Sequence, residues 1–149
     1  MIHVIATKFG ALELEETERG VRRISFVEGG ASRAVAPAKP TNLEAKLSKY
    51  FQGGRVDFST VSLDLQEVSS FQRRVWEAAM KIPYGEVRTY GWIARKLNSS
   101  PRAVGQALKS NPLPIVIPCH RVVSSQGIGG YSGGINLKTR MLKLEGALR

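Results

Sequence analysis

One cysteine, two histidines and no long apolar run set the first limits on this 149-residue sequence. A single thiol, Cys119, cannot close an internal disulfide. With only His3 and His120 beside it, no zinc site of four Cys and His ligands can form, so no metal is expected. No apolar stretch approaches the roughly 20 residues that a bilayer-spanning helix needs. The opening "MIHVIATKFGALELEE" lacks the basic and apolar regions of a secretory leader, so a cytoplasmic protein without a membrane partner is expected. Hydrophobic residues at 42% and charged residues at 23% exclude a disordered or fibrous chain and leave a globular one of one domain or two small lobes.

Acids are scarce in one half only. Residues 1–70 balance nine Lys and Arg against nine Asp and Glu, whereas residues 71–149 carry thirteen against three, the whole of the net charge of +10. Such asymmetry points to a polyanionic partner for the second half, most simply nucleic acid, because each neutralised phosphate releases counterions. A solvated basic surface is the other reading.

The chain order divides in the same place. "MIHVIAT", "GALELEET" and "GVRRISFVEGG" read as an antiparallel meander. "ASRAVAPAKP" reads as a linker, and "TNLEAKLSKYFQG", with Leu43, Leu47, Tyr50 and Phe51 at helical spacing, as a short amphipathic helix. "GRVDFSTVSLDLQEVSS" looks extended. From Phe71 the period turns helical: "SSFQRRVWEAAMKI" puts Phe71, Val75, Ala78, Ala79 and Ile82 on one face behind a cap at Ser69 or Ser70. "TYGWIARKLN" and "SPRAVGQALKSN" form two short helices split by a tight turn, with Ser100 as cap and Pro101 at the first helical position. That pair fits a helix-turn-helix. "IVIPCHRVV" reads as a strand, "SSQGIGGYSGG" as a glycine-rich loop without the Lys-Ser or Lys-Thr of a P-loop, and "INLKTRMLKLEGAL" as a helix with Leu137, Met141, Leu144 and Leu148 as its apolar stripe. The expected fold is α/β in the α+β sense. Residues 1–68 form a strand-rich N-terminal lobe with one helix and a linker, and residues 69–149 a mainly helical lobe with a winged helix-turn-helix and Cys119.

Read from the residues alone, Cys119 is either a packed thiol or a nucleophile. A thiol of ordinary pKa, about 8.5, is only a few per cent thiolate at neutral pH, so reaction requires a base or a nearby positive charge. His120 is adjacent, but neighbours in a strand point to opposite faces, so contact requires a bend, which Pro118 can supply, or a bridging water. Glu145, an acid on an otherwise basic final helix, is a candidate to orient the imidazole.

The ordered motifs "GEVRTYGWIA", "SPRAVGQALKSNPLPIVI", "PCHRV", "GGYSGG" and "MLKLEG", continuous from about Phe71 to Gly146, together resemble the O6-alkylguanine-DNA alkyltransferases. The first seventy residues match that family only in coarse pattern. The resemblance implies that Cys119 takes an alkyl group from O6 of guanine in DNA, irreversibly and once per molecule, with O4-alkylthymine as a further candidate substrate. No cofactor is implied, and the partner is double-stranded DNA carrying the lesion, met by a monomer. By the same carry-over His120 acts as a water-mediated base for Cys119, Glu145 holds His120, and Asn111 fixes the network beneath the site. Tyr90 donates to the base, and Tyr131 and Ser132 close over it. Carbonyls of Cys119 and Val122 accept from its exocyclic amine, and Pro114 shapes the entry to the cysteine segment.

A base inside a duplex cannot present O6 to a thiolate, so the nucleotide must be flipped out. The resemblance assigns Arg102 to the vacated stack and places Ala103, Gly105 and Ala107 on a thin recognition helix in the minor groove, with Thr89 and Tyr90 also on the DNA side. Three other classes remain to be separated: a lesion-binding relative that does not transfer, a Cys-His-Glu hydrolase with turnover, and a DNA-binding regulator. The first normally lacks the cysteine, the second leaves the basic helix-turn-helix unexplained, and the third has no need of Cys119.

Overall fold

The computed structural model describes residues 2–27, 41–65, 67–131 and 134–148. They fall into two compact units, Met1–Gln66 and Glu67–Arg149, and the fold is α+β.

In the first unit, β1 (Ile2–Thr7), β2 (Gly10–Thr17) and β3 (Gly20–Val27) form an antiparallel meander in the order β1-β2-β3. Alternation along β2 sends Leu12 and Leu14 into the core, and a bulge between Glu15 and Glu16 breaks the register with β3. The helix α1 (Asn42–Phe51) starts at Thr41, whose hydroxyl accepts from the Glu44 amide at 3.1 Å. It buries Leu43, Leu47, Tyr50 and Phe51, the four residues whose spacing announced it. The extended segment after it meets β3: Val21 donates to the Ser62 carbonyl at 2.9 Å, and Asp64 donates back to Val21 at 2.9 Å. Gly20 lies at φ +145°, and a Cβ there would come within 2.2 Å of the Ser62 carbonyl oxygen, so only glycine allows this approach.

The second unit is built on helices. The first, α2 (Ser70–Met80), opens with a capping box in which Ser69 and Gln72 satisfy each other's amides. It buries Val75, Trp76 and Ala79, with Ile82 just beyond its end. Trp76, absent from the expected face, is 1% exposed, and its indole nitrogen donates to the Ala107 carbonyl at 2.9 Å. After β4 (Arg88–Thr89) come α3 (Tyr90–Leu97) and α4 (Pro101–Lys109). Asn98 ends α3 in the left-handed region at φ 53°, and Ser100 caps α4 with Pro101 at its first position, which makes the tight turn of the helix-turn-helix. The last helix is α5 (Ile135–Leu144).

Two expectations change. "IVIPCHRVV" is not a continuous strand: Cys119–Arg121 is a 3-10 turn, and only β5 (Val122–Val123) is extended, pairing in parallel with β4. Ile115 sits at φ 77°, a position costly for a β-branched residue, so the chain turns before the cysteine instead of running through it. The inward stripe of α5 is also rotated. Lys138, Met141 and Leu142 are buried on the helix, and Glu145 just past its end, whereas Leu148 is exposed.

Candidate active site

Asn111 organises the turn that delivers Cys119. Its amide nitrogen donates to the Ile117 carbonyl at 2.9 Å, and its oxygen accepts from the Leu113 amide at 2.8 Å. Ile117 also donates to Leu113 at 2.8 Å, so three hydrogen bonds hold the strained Ile115 between them. Pro114 lies inside this turn, bridged to Ile117. The chain then enters the 3-10 turn, where Cys119, His120 and Arg121 are all buried.

Because the turn is helical, His120 and Arg121 both reach the acid that follows α5. His120 Nε2 meets Glu145 Oε2 at 2.5 Å, and Arg121 Nε donates to Glu145 Oε1 at 2.8 Å. Arg121 also donates to the Ile82 carbonyl at 2.8 Å, and the Gly85 amide donates to Glu145 Oε1 at 3.3 Å. Burial would raise the Glu145 carboxyl, but His120 and Arg121 outweigh it and hold its pKa at about 2. His120 is pushed down from its ordinary value, first by burial and then by the charges of Arg121 and Lys138, although Glu145 opposes this. Burial thus favours the neutral imidazole over the imidazolium. With Nε2 facing the carboxylate, its proton sits there and Nδ1 is the basic nitrogen.

The thiol has its own partners. Burial raises the Cys119 pKa, while hydrogen bonds from Asn111 and Tyr131 and the Lys138 charge draw it back. Tyr131 keeps its proton, held well above the usual phenol value by burial and by the Cys119 charge, and Tyr90 is raised for the same two reasons. Lys138 was missed by the sequence reading. It is 0% exposed, its pKa is pulled down to about 8 by burial, and its ammonium donates to the Val122 carbonyl at 2.7 Å and the Gly130 carbonyl at 2.9 Å. The Val122 carbonyl therefore already holds the Lys138 donor. Arg121 was missed too. A signal existed for the lysine: Lys138, Met141, Leu142 and Glu145 follow the i, i+3, i+4, i+7 pattern, so anchoring the stripe on Glu145 rather than on leucines exposes it.

A cavity of about 580 Å³ opens over the sulfur, within the range of roughly 300–1,000 Å³ common for small-ligand sites. Its walls bring together Cys119, Tyr90, Tyr131, Gly105 and Arg102. Tyr90, the first residue of α3, donates to the Gly130 carbonyl at 3.3 Å. Gly105 on α4 and Gly129 in the glycine-rich loop lie against its ring, and at Gly129 a Cβ would sit 2.9 Å from it. Arg102 and Ala103 also line an open groove on the other side of α4, which Ala107 shares. Thr89 serves as the cap of α3, accepting from the Trp92 amide at 3.0 Å. Ser132 lies outside the described residues. Among those residues no helix is long and apolar enough to cross a membrane.

Comparison with known proteins bears on both units. Residues 70–147 match the family model of the 6-O-methylguanine DNA methyltransferase DNA binding domain, and residues 1–65 that of the ribonuclease-like domain of the same proteins. The methylated-DNA–protein-cysteine methyltransferase of Sulfolobus acidocaldarius is 41% identical over 143 residues, covering 96% of this chain and 91% of that protein. The protein of the same name from Archaeoglobus fulgidus is 53% identical over 108 residues, covering 68% of this chain and 71% of its own length. The crystal structure of Mycobacterium tuberculosis OGT in complex with DNA is similar at a TM-score of 0.81 and 35% identity, covering 97% of this chain and 92% of that one.

Proposed function

Since the chain belongs to the 6-O-methylguanine DNA methyltransferase family, we propose that it repairs DNA by direct reversal, moving an alkyl group from O6 of guanine in a duplex to Cys119. The observation that carries this reading is the placement of Cys119 on a cavity walled by Tyr90, Tyr131 and the α4 arginine Arg102.

The burial-raised thiol must first lose its proton. His120, neutral and held by Glu145, takes it through a water. The thiolate then attacks the alkyl carbon in line, the S–C bond forms, and the C–O6 bond breaks with its electron pair on the purine, which becomes guanine by taking up a proton from solvent, balancing the one that His120 removes from the thiol. Tyr90, Tyr131 and Ser132 donate hydrogen bonds to the base as that charge develops; the raised pKa values of the two tyrosines keep their protons in place. Tyr90 must leave the Gly130 carbonyl to do so. The Val122 and Cys119 carbonyls accept from the exocyclic amine. Lys138 steadies the thiolate by its charge. The thioether product has no easy leaving route, so each molecule acts once.

Arg102 fills the stack from which the nucleotide turned, and Ala103, Gly105 and Ala107 let α4 approach the minor groove. Residues 69–149 serve as the DNA-binding alkyltransferase domain and residues 1–68 as its N-terminal companion, in a cytoplasmic monomer. The test is a titration with excess duplex carrying one O6-methylguanine per molecule. Lesions repaired are expected to stop at one per protein and to be none in Cys119→Ala. Repeated turnover points to a hydrolase, and tight lesion binding without repair to a binding protein.

A further inference from the structure

Glu145 is shared between an imidazole and a guanidinium, although a histidine needs only one carboxylate oxygen to orient it. Four donors converge on it: His120 Nε2 at 2.5 Å, Arg121 Nε at 2.8 Å, Arg121 Nη2 at 3.3 Å and the Gly85 amide at 3.3 Å. A carboxylate accepts at about four positions, so this one is full. The guanidinium is fixed in turn by the Ile82 carbonyl at 2.8 Å and lies 5.8 Å from the centre of the Tyr84 ring. His120, Arg121 and Glu145 are all buried.

Resting on the transfer reading above, we infer that Arg121 is a positioning residue for alkyl transfer: by neutralising Glu145 it keeps His120 an uncharged imidazole able to accept the Cys119 proton. A carboxylate paired with histidine alone in a buried site stabilises the imidazolium, and an imidazolium cannot act as a base. With the guanidinium already on Glu145, a proton on His120 adds an uncompensated charge to a cluster that also holds the Lys138 ammonium. The charged groups that act on His120 are Glu145 and Lys138 from the α5 side and Arg121 from its own turn. Burial is the largest influence holding the imidazole low, and Arg121 and Lys138 act in the same direction.

The experiment is a single-turnover pH profile of methyl transfer from an O6-methylguanine duplex, from pH 5 to 9, for wild type, Arg121→Met and Arg121→Lys. In Arg121→Met the acid limb is expected to move up by about one unit, a loss of roughly tenfold on that limb, while rates above pH 8 stay within about threefold. Arg121→Lys, which keeps a cation but not the fork, is expected to move the limb less. A uniform loss at every pH, with the limb unmoved, overturns the assignment and leaves Arg121 a structural residue. Proton NMR of the His120 ring in the wild type is an independent reading that does not depend on the variants folding. The ring is expected to titrate below about 6.5, the ordinary histidine value, and titration at or above it overturns the inference. Failure of the wild type to transfer at any pH overturns the repair reading instead, and the His120 titration compared between wild type and Arg121→Met still judges Arg121: an unchanged titration overturns the inference.

Discussion

Lys138 on α5 donates to the carbonyl of Val122 at 2.7 Å, and the same ammonium reaches the Gly130 carbonyl at 2.9 Å. One buried cation thus joins the segment after the cysteine to the glycine-rich loop that closes the cavity. Its charge also draws down the thiol. Lys138→Met removes both effects. The buried Val122 carbonyl loses its donor, at a cost of about 1–3 kcal/mol, partly offset by the relief of a desolvated ammonium. Urea unfolding is expected to show a moderate loss of stability. The rate of Cys119 modification by a thiol reagent is expected to show a thiol pKa higher than in wild type.

Gly129 lies at φ +78°, with its α-carbon so close to Tyr90 that an added Cβ would meet both the ring and the hydroxyl at 2.9 Å. Gly129→Ala therefore strains the loop by about 1 kcal/mol and displaces the side chain that serves the base. Transfer is expected to fall by more than tenfold while the melting temperature drops by only a few degrees, measured by single-turnover kinetics and circular dichroism. A full rate with a displaced loop removes Tyr90 from the mechanism.

Glu145 gives the pH dependence of stability a defined sign. Its folded pKa of about 2 lies below the ordinary 4.5, so its contribution is complete above pH 4.5 and is lost as pH falls towards 2. It comes from the Arg121 ion pair and the His120 hydrogen bond, which together outweigh the cost of burial. Urea titrations from pH 2 to 7 are expected to show wild type losing this increment on the acid side. The Glu145→Gln curve is expected to be flatter over the same window and lower at pH 7.

Arg102 is exposed and lies on both the cavity and the open groove beside α4. Arg102→Ala is expected to slow repair of a duplex by more than it slows reaction with free O6-alkylguanine, because only the duplex needs its stack filled. Equal slowing on the two substrates contradicts that role.

The sequence made the meander, the helix-turn-helix and the Ser100 cap legible, and narrowed the cap before Phe71 to Ser69 or Ser70, because each rests on local chemistry: alternation, 3.6-residue spacing, and a hydroxyl ahead of an apolar run. It also singled out Cys119, His120, Glu145 and Asn111, which the fold brings to one turn and the end of the helix facing it. The strand expected through "IVIPCH" failed for a tertiary reason. β-branched residues favour extended chain, but the Asn111 hydrogen bonds force Ile115 to positive φ and bend the segment. Lys138 and Arg121 went unseen because charged residues are normally placed outside, and only the partners supplied by the fold, two carbonyls and one carboxylate, make their burial tolerable.

The most direct test of the account is the intact mass of the protein after incubation with duplex O6-methylguanine, followed by peptide mapping. Transfer to Cys119 predicts one added CH2 unit per chain, S–H having become S–CH3, located on Cys119, with unmodified guanine left in the duplex. An unchanged mass after the lesion has disappeared, or a methyl group on any other residue, contradicts it.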